Sequence, residues 1–69
     1  MKIKVNGEVK DLISNHKDMT LDETINILGY KKNTIIVELN SKIISNQSWE
    51  NKFLKDGDKI EIVSIVGGG

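Results

Sequence analysis

The 69-residue chain sets ten lysines against ten acidic side chains, so its formal net charge is zero, and it lacks the basic footprint of a nucleic-acid binder or a membrane-surface protein. A chain this short buries only about 60% of the surface its unfolded form exposes, enough for one helix on one sheet in a single domain. Cysteine is absent and His16 is the sole imidazole, which excludes disulfides, thiol nucleophiles and thiolate metal sites and leaves no metal site to expect.

The start, "KIKVNGEVKDL", alternates Ile3 and Val5 with Lys2 and Lys4, the period-2 pattern of a half-buried strand rather than of a signal peptide. Asn6-Gly7 tolerates positive φ at both positions and predicts a hairpin, with strands near 2–6 and 8–13 and Leu12 or Ile13 anchoring the far end. His16 then falls in a polar loop. Thr20 followed by Glu23 forms a capping box, Leu21, Ile25 and Leu28 make one apolar stripe, and Gly29 occupies the position after the last turn, so a short helix is expected over about 20–28.

"TIIVELN" from Thr34 is a β-branched run with Ile35, Val37 and Leu39 on one face and Ile36 and Glu38 on the other. A turn at Asn40-Ser41 leads to the shorter strand "KIIS". Trp49, Phe53 and Leu54 have the spacing of a helical turn, with Trp49 expected as a plug on the open end of the core, and Asp56-Gly57-Asp58 closes that segment. "KIEIVSIV" is the last strand, Ile60 and Ile62 facing the core and Glu61, Val63 and Ile65 facing away. The order β-β-α-β-β-turn-β predicts an α+β fold in which a mixed sheet of about five strands carries the helix on one face, the first and last strands side by side in the middle.

Several candidate sites have plainer readings. "GYKKNT" lacks the glycine and Gly-Lys pair of a phosphate loop, so the chain does not handle ATP by itself. Lys31-Lys32 reads as a solvated helix exit, Asp56 and Asp58 are too few ligands for calcium, and no serine has a His-carboxylate partner arrangement. No apolar run approaches the ~20 residues of a membrane span, and the cytoplasm is the expected location.

The chain ends "VSIVGGG". Together with "MKIKVNGE", "ILGYKKNTIIVELN", and Trp49 ahead of "LKDGDKIEIVSIVGGG", this ending resembles the thiamin-biosynthesis sulfur carrier family, ThiS, whose fold is the ubiquitin-like β-grasp. The likeness covers essentially the whole chain and is most specific from Leu54 to Gly69. Two departures stand out: Asn40-Ser41 where the family commonly has Asn-Gly, and Ser45-Asn46 where it has Pro-Arg, which removes a positive charge beside the short strand.

The resemblance implies a β-grasp body over 1–66 and a flexible glycine tail over 67–69. It implies a carrier rather than an enzyme. An E1-like, ThiF-like adenylyltransferase adenylates the carboxylate of Gly69 with ATP, a sulfur donor system converts it to a thiocarboxylate, and a ThiG-like thiazole synthase accepts the sulfur. No cofactor is bound by the carrier. Gly67 and Gly68 thread the tail, since glycine lets a partner's backbone approach closely. Three residues reach at most about 10–11 Å, so the body must dock near the partner's active site. Ile36, Val63 and Ile65 are expected to form part of an apolar docking patch. The small subunit of molybdopterin synthase, a ubiquitin-like protein modifier and a non-covalent β-grasp module are the alternatives.

Overall fold

The computed structural model describes residues 1–12 and 19–65. Strands β1 (Lys2–Val5) and β2 (Glu8–Asp11) form the first hairpin, β3 is the two-residue Met19–Thr20, and α1 spans Leu21–Leu28. Then follow a 3₁₀ turn at Lys32–Thr34, β4 (Ile35–Leu39), β5 (Lys42–Ile44), a 3₁₀ helix at Asn46–Asn51, β6 (Phe53–Leu54) and β7 (Lys59–Ser64). The main sheet has the order β2-β1-β7-β4-β5, and β3 and β6 make a separate two-stranded pair. Only β1 and β7 run parallel in the main sheet; its other three pairings are antiparallel. This is the β-grasp arrangement, with β1 and β7 adjacent as the sequence predicts.

The first hairpin closes through Asn6 and Gly7 at φ 50° and 85°, the left-handed values that this pair accepts at low cost. Asn6 has a second task. Its Oδ1 accepts a 2.7 Å hydrogen bond from the Ile62 amide, and its own amide donates to the Ile60 carbonyl, so the turn is fastened to β7.

Thr20 ends β3 and caps α1: its Oγ1 accepts from the Glu23 amide at 3.1 Å while Glu23 Oε1 accepts from the Thr20 amide at 3.2 Å. Gly29 closes the helix at φ 89°, its amide donating to Asn26 and the Tyr30 amide to Ile25, the paired bonds of a Schellman end. The helix buries Leu21, Thr24 and Ile25, and the Thr24 hydroxyl donates to the Thr20 carbonyl, so its polarity is satisfied inside. Facing it across the core are Ile3, Val5, Ile35, Val37, Leu39, Ile60 and Ile62 from the sheet.

Trp49 closes the core at 1% exposure, its Nε1 donating to the Ile44 carbonyl at 2.9 Å. Lys32 lies 5.6 Å from the centre of its ring and pairs with Asp22 at 3.3 Å, so this lysine is fixed over the plug instead of standing in a solvated loop. One expectation is corrected. Phe53 and Leu54 do not continue the helical turn of Trp49: the 3₁₀ helix stops at Asn51, the Lys52 carbonyl accepts from the Leu21 amide, and Phe53 and Leu54 pair with Thr20 and Met19. The second strand ends at Asp11 with Leu12 buried behind it; Ile13 and the His16 loop lie outside the described residues.

Candidate functional site

The site is built around the end of β7, which is the middle strand of the main sheet and hydrogen-bonds on both sides. Against β4 its register is Leu39 with Ile60, Val37 with Ile62, Ile36 with Val63 and Ile35 with Ser64. One residue further on, the Ile65 amide donates to the Thr34 carbonyl at 2.9 Å, and the Thr34 hydroxyl donates to the Lys31 carbonyl at 2.7 Å. The chain is therefore held in the sheet up to Ile65. Gly67, Gly68 and Gly69, and the 66/67 boundary between body and tail, lie outside the described residues.

Alternation along β4 and β7 sends Val37, Leu39, Ile60 and Ile62 to the helix and turns Ile36 and Val63 to the opposite face, where they sit side by side. Ile36 is 39% exposed, Val63 53% and Ile65 52%, so the three predicted patch residues are brought together at the end of β7, uncovered. The sequence reading missed a neighbour, Ile43, which is 69% exposed and pairs with Glu38 on the same face. The signal was present in the hairpin: with Asn40-Ser41 as the two-residue turn, Leu39 faces Lys42 and Glu38 must face Ile43.

The face is not uniformly apolar. Glu38 stands directly opposite Glu61, and Lys4 directly opposite Lys59. At the other end of β7 its approach is rigid. Asp58, buried, accepts from Asn40 Nδ2 at 3.0 Å and from the Lys55 amide at 2.7 Å, Asn40 Oδ1 accepts from the Lys59 amide, and Asp56 accepts from the Lys2 amide. The acidic turn thus spends its carboxylates on backbone and amide donors. Among the described residues no group of three or more His, Asp or Glu could hold a metal ion, and no helix is long and apolar enough to cross a membrane.

Comparison with known proteins gives a consistent picture. A sequence model of the ThiS family matches residues 3–69. The chain is similar to a thiamine biosynthesis protein (ThiS) from Geobacter metallireducens of known crystal structure, at 26% identity over all of both chains and a TM-score of 0.80. It is 35% identical over its whole length to a thiazole synthase of Paramagnetospirillum magneticum, of which it spans only 20%. It is 30% identical to the uncharacterized protein ycf40 of Porphyra purpurea, spanning 93% of that chain.

Proposed function

The chain belongs to the ThiS family, and from that premise we propose that it is a cytoplasmic sulfur carrier for thiazole formation in thiamin biosynthesis, a substrate of partner enzymes rather than an enzyme. The observation that carries this reading is the pinning of the chain in the sheet up to Ile65, beside the exposed side chains of Ile36 and Val63. The similarity of the whole chain to one fifth of a protein named thiazole synthase supports the same reading, since it associates this sequence with the sulfur acceptor within one polypeptide.

The chemistry starts from the carboxylate of Gly69. An α-carboxyl group with a pKa of about 3.3–3.7 is an anion at neutral pH and resists nucleophiles. An E1-like adenylyltransferase overcomes this: a carboxylate oxygen attacks the α-phosphorus of ATP and pyrophosphate leaves. Sulfide-level sulfur from the donor system then attacks the acyl carbon and AMP leaves, giving the thiocarboxylate. Where the donor is a persulfide, the first product is an acyl disulfide, and a thiol of the donor system cleaves its S–S bond, becoming a disulfide as the thiocarboxylate is freed. Thiazole synthase takes the sulfur, and the carboxylate returns. Because the acyl-adenylate hydrolyses in water, the terminus must enter a closed pocket. Four residues beyond Ile65 reach at most about 13–14 Å, so the body docks close to that pocket.

Ordering Gly67, Gly68 and Gly69 opposes entry by about 3–6 kcal/mol. Ile36, Val63 and Ile65 supply the offsetting contact by docking on the enzyme. Ile65→Asp therefore weakens binding to the adenylyltransferase at least several-fold while the thermal transition stays in place; unchanged binding would move the docking surface elsewhere. Removal of Gly69 leaves the body folded and stops thiazole production in a reconstituted system. Continued production would end the carrier reading, and a lysine-linked conjugate at Gly69 would favour a protein modifier.

A further inference from the structure

Of the chain's asparagines only Asn6 is followed by glycine. That dipeptide has a chemistry besides turn formation: with no side chain on the second residue, its amide nitrogen can reach the side-chain carbonyl carbon of the first. Asn6 and Gly7 are both exposed, and a Cβ placed on Gly7 would meet nothing within 4 Å. Asn6 Nδ2, the leaving group, and the Gly7 amide, the nucleophile, make no hydrogen bond among the described residues. Two related positions are blocked. At Asp56-Gly57 the glycine amide donates to the Lys2 carbonyl at 2.7 Å, and the electrophile is a carboxylate that accepts from the Lys2 amide. At Asn40-Ser41 the asparagine side chain is tied at both ends, Nδ2 to Asp58 and Oδ1 to the Lys59 amide.

What restrains Asn6 is its attachment to β7. Its Oδ1 accepts from the Ile62 amide at 2.7 Å, its amide donates to the Ile60 carbonyl at 2.9 Å, and its backbone holds φ 50°. Ring closure must turn the side-chain carbonyl toward Gly7 and take the residue out of the left-handed turn, so the Ile62 bond has to break first. We propose that Asn6 is a guarded site of spontaneous deamidation, reached when the turn lifts from β7, and that its conversion to isoaspartate unfastens the turn from that strand. The Gly7 nitrogen bonds to Asn6 Cγ, the Cγ–Nδ2 bond breaks, and the Gly7 proton leaves with the amide nitrogen as ammonia, giving a cyclic imide. Water then cleaves one of the imide's two bonds from the Gly7 nitrogen to a carbonyl carbon. Cleavage at Cγ gives aspartate, whose carboxylate still accepts from the Ile62 amide. Cleavage at the main-chain carbonyl carbon gives isoaspartate: Cβ and Cγ enter the backbone, the two-residue turn that sets Val5 against Glu8 is lengthened, and the Oδ1 acceptor is lost. The sum is one water taken up and one ammonia released.

The test incubates the full chain at mildly alkaline pH, folded and in denaturant, and follows it by intact mass, fragmentation and enzymatic methylation of isoaspartyl carboxylates. Replacement of the amide nitrogen by oxygen is expected at Asn6 ahead of every other asparagine in denaturant, and at least about tenfold more slowly in the folded chain. The isolated isoaspartyl form is expected to exchange its Ile62 amide hydrogen with solvent at least about fivefold faster than the parent, whereas Asn6→Asp stays within about twofold of it. Equal conversion rates in the folded and unfolded chain overturn the guard. Earlier conversion at another asparagine, in either sample, overturns the site. An isoaspartyl form with unchanged protection at Ile62 overturns the consequence for β7.

Discussion

Ser41 holds a φ of 75° directly after Asn40 at 50°, so the β4–β5 turn places two consecutive non-glycine residues in the left-handed region. Asn40 is compensated: its side chain bonds both Asp58 and the Lys59 amide, which ties this turn to the start of β7. Ser41 is exposed and its side chain makes no hydrogen bond among the described residues, so its backbone carries strain without a return. Ser41→Gly is expected to stabilise the fold by about 0.5–1 kcal/mol after the larger unfolded-state entropy of glycine is subtracted, read as a shift in denaturant midpoint. Gly7 and Gly29 were legible as turn and cap from their neighbours. The use of Asn6, Asn40 and Asp58 as side-chain braces for β7 was not, because those bonds join residues 18 to 56 positions apart.

At the scale of elements, an eight-residue helix is too short to persist alone and depends on its ends and its buried face. Thr20 serves both, because its side chain caps the helix while its backbone pairs with Phe53 in the small second sheet. Thr20→Ala is expected to cost about 1–2 kcal/mol by chemical denaturation, with the sheet pairing left intact. The main strands and α1 could be read from periodicity because each buries one face. β3 and β6 could not: two residues hold no period, and the spacing of Trp49, Phe53 and Leu54 fits a helical turn as well as it fits a 3₁₀ helix followed by a strand. What separates the two is the Leu21 amide donating to the Lys52 carbonyl, a tertiary bond. The face opposite the helix was half legible for the same reason. Alternation gave Ile36, Val63 and Ile65, whereas Ile43 and the like-charge pairs appear only once strands are set in register.

For the whole molecule, the one α-helix among the described residues and a small core hold one strand in the centre of a sheet, with its end beside an exposed surface. Three braces act on that strand or on the residue after it: Asn6 on Ile62, Asn40 on Lys59 and Thr34 on Ile65. A body so arranged suits a carrier whose chemistry lies beyond it, and the claim rests on Gly69. The most direct measurement is the intact mass of the chain after incubation with ATP, the adenylyltransferase and a sulfur donor, followed by fragmentation to locate any change. Exchange of one oxygen for one sulfur is expected, confined to Gly69 and absent from a chain lacking that residue. An unchanged mass with an adenylyltransferase shown to be active, or an exchange that persists without Gly69, would contradict it.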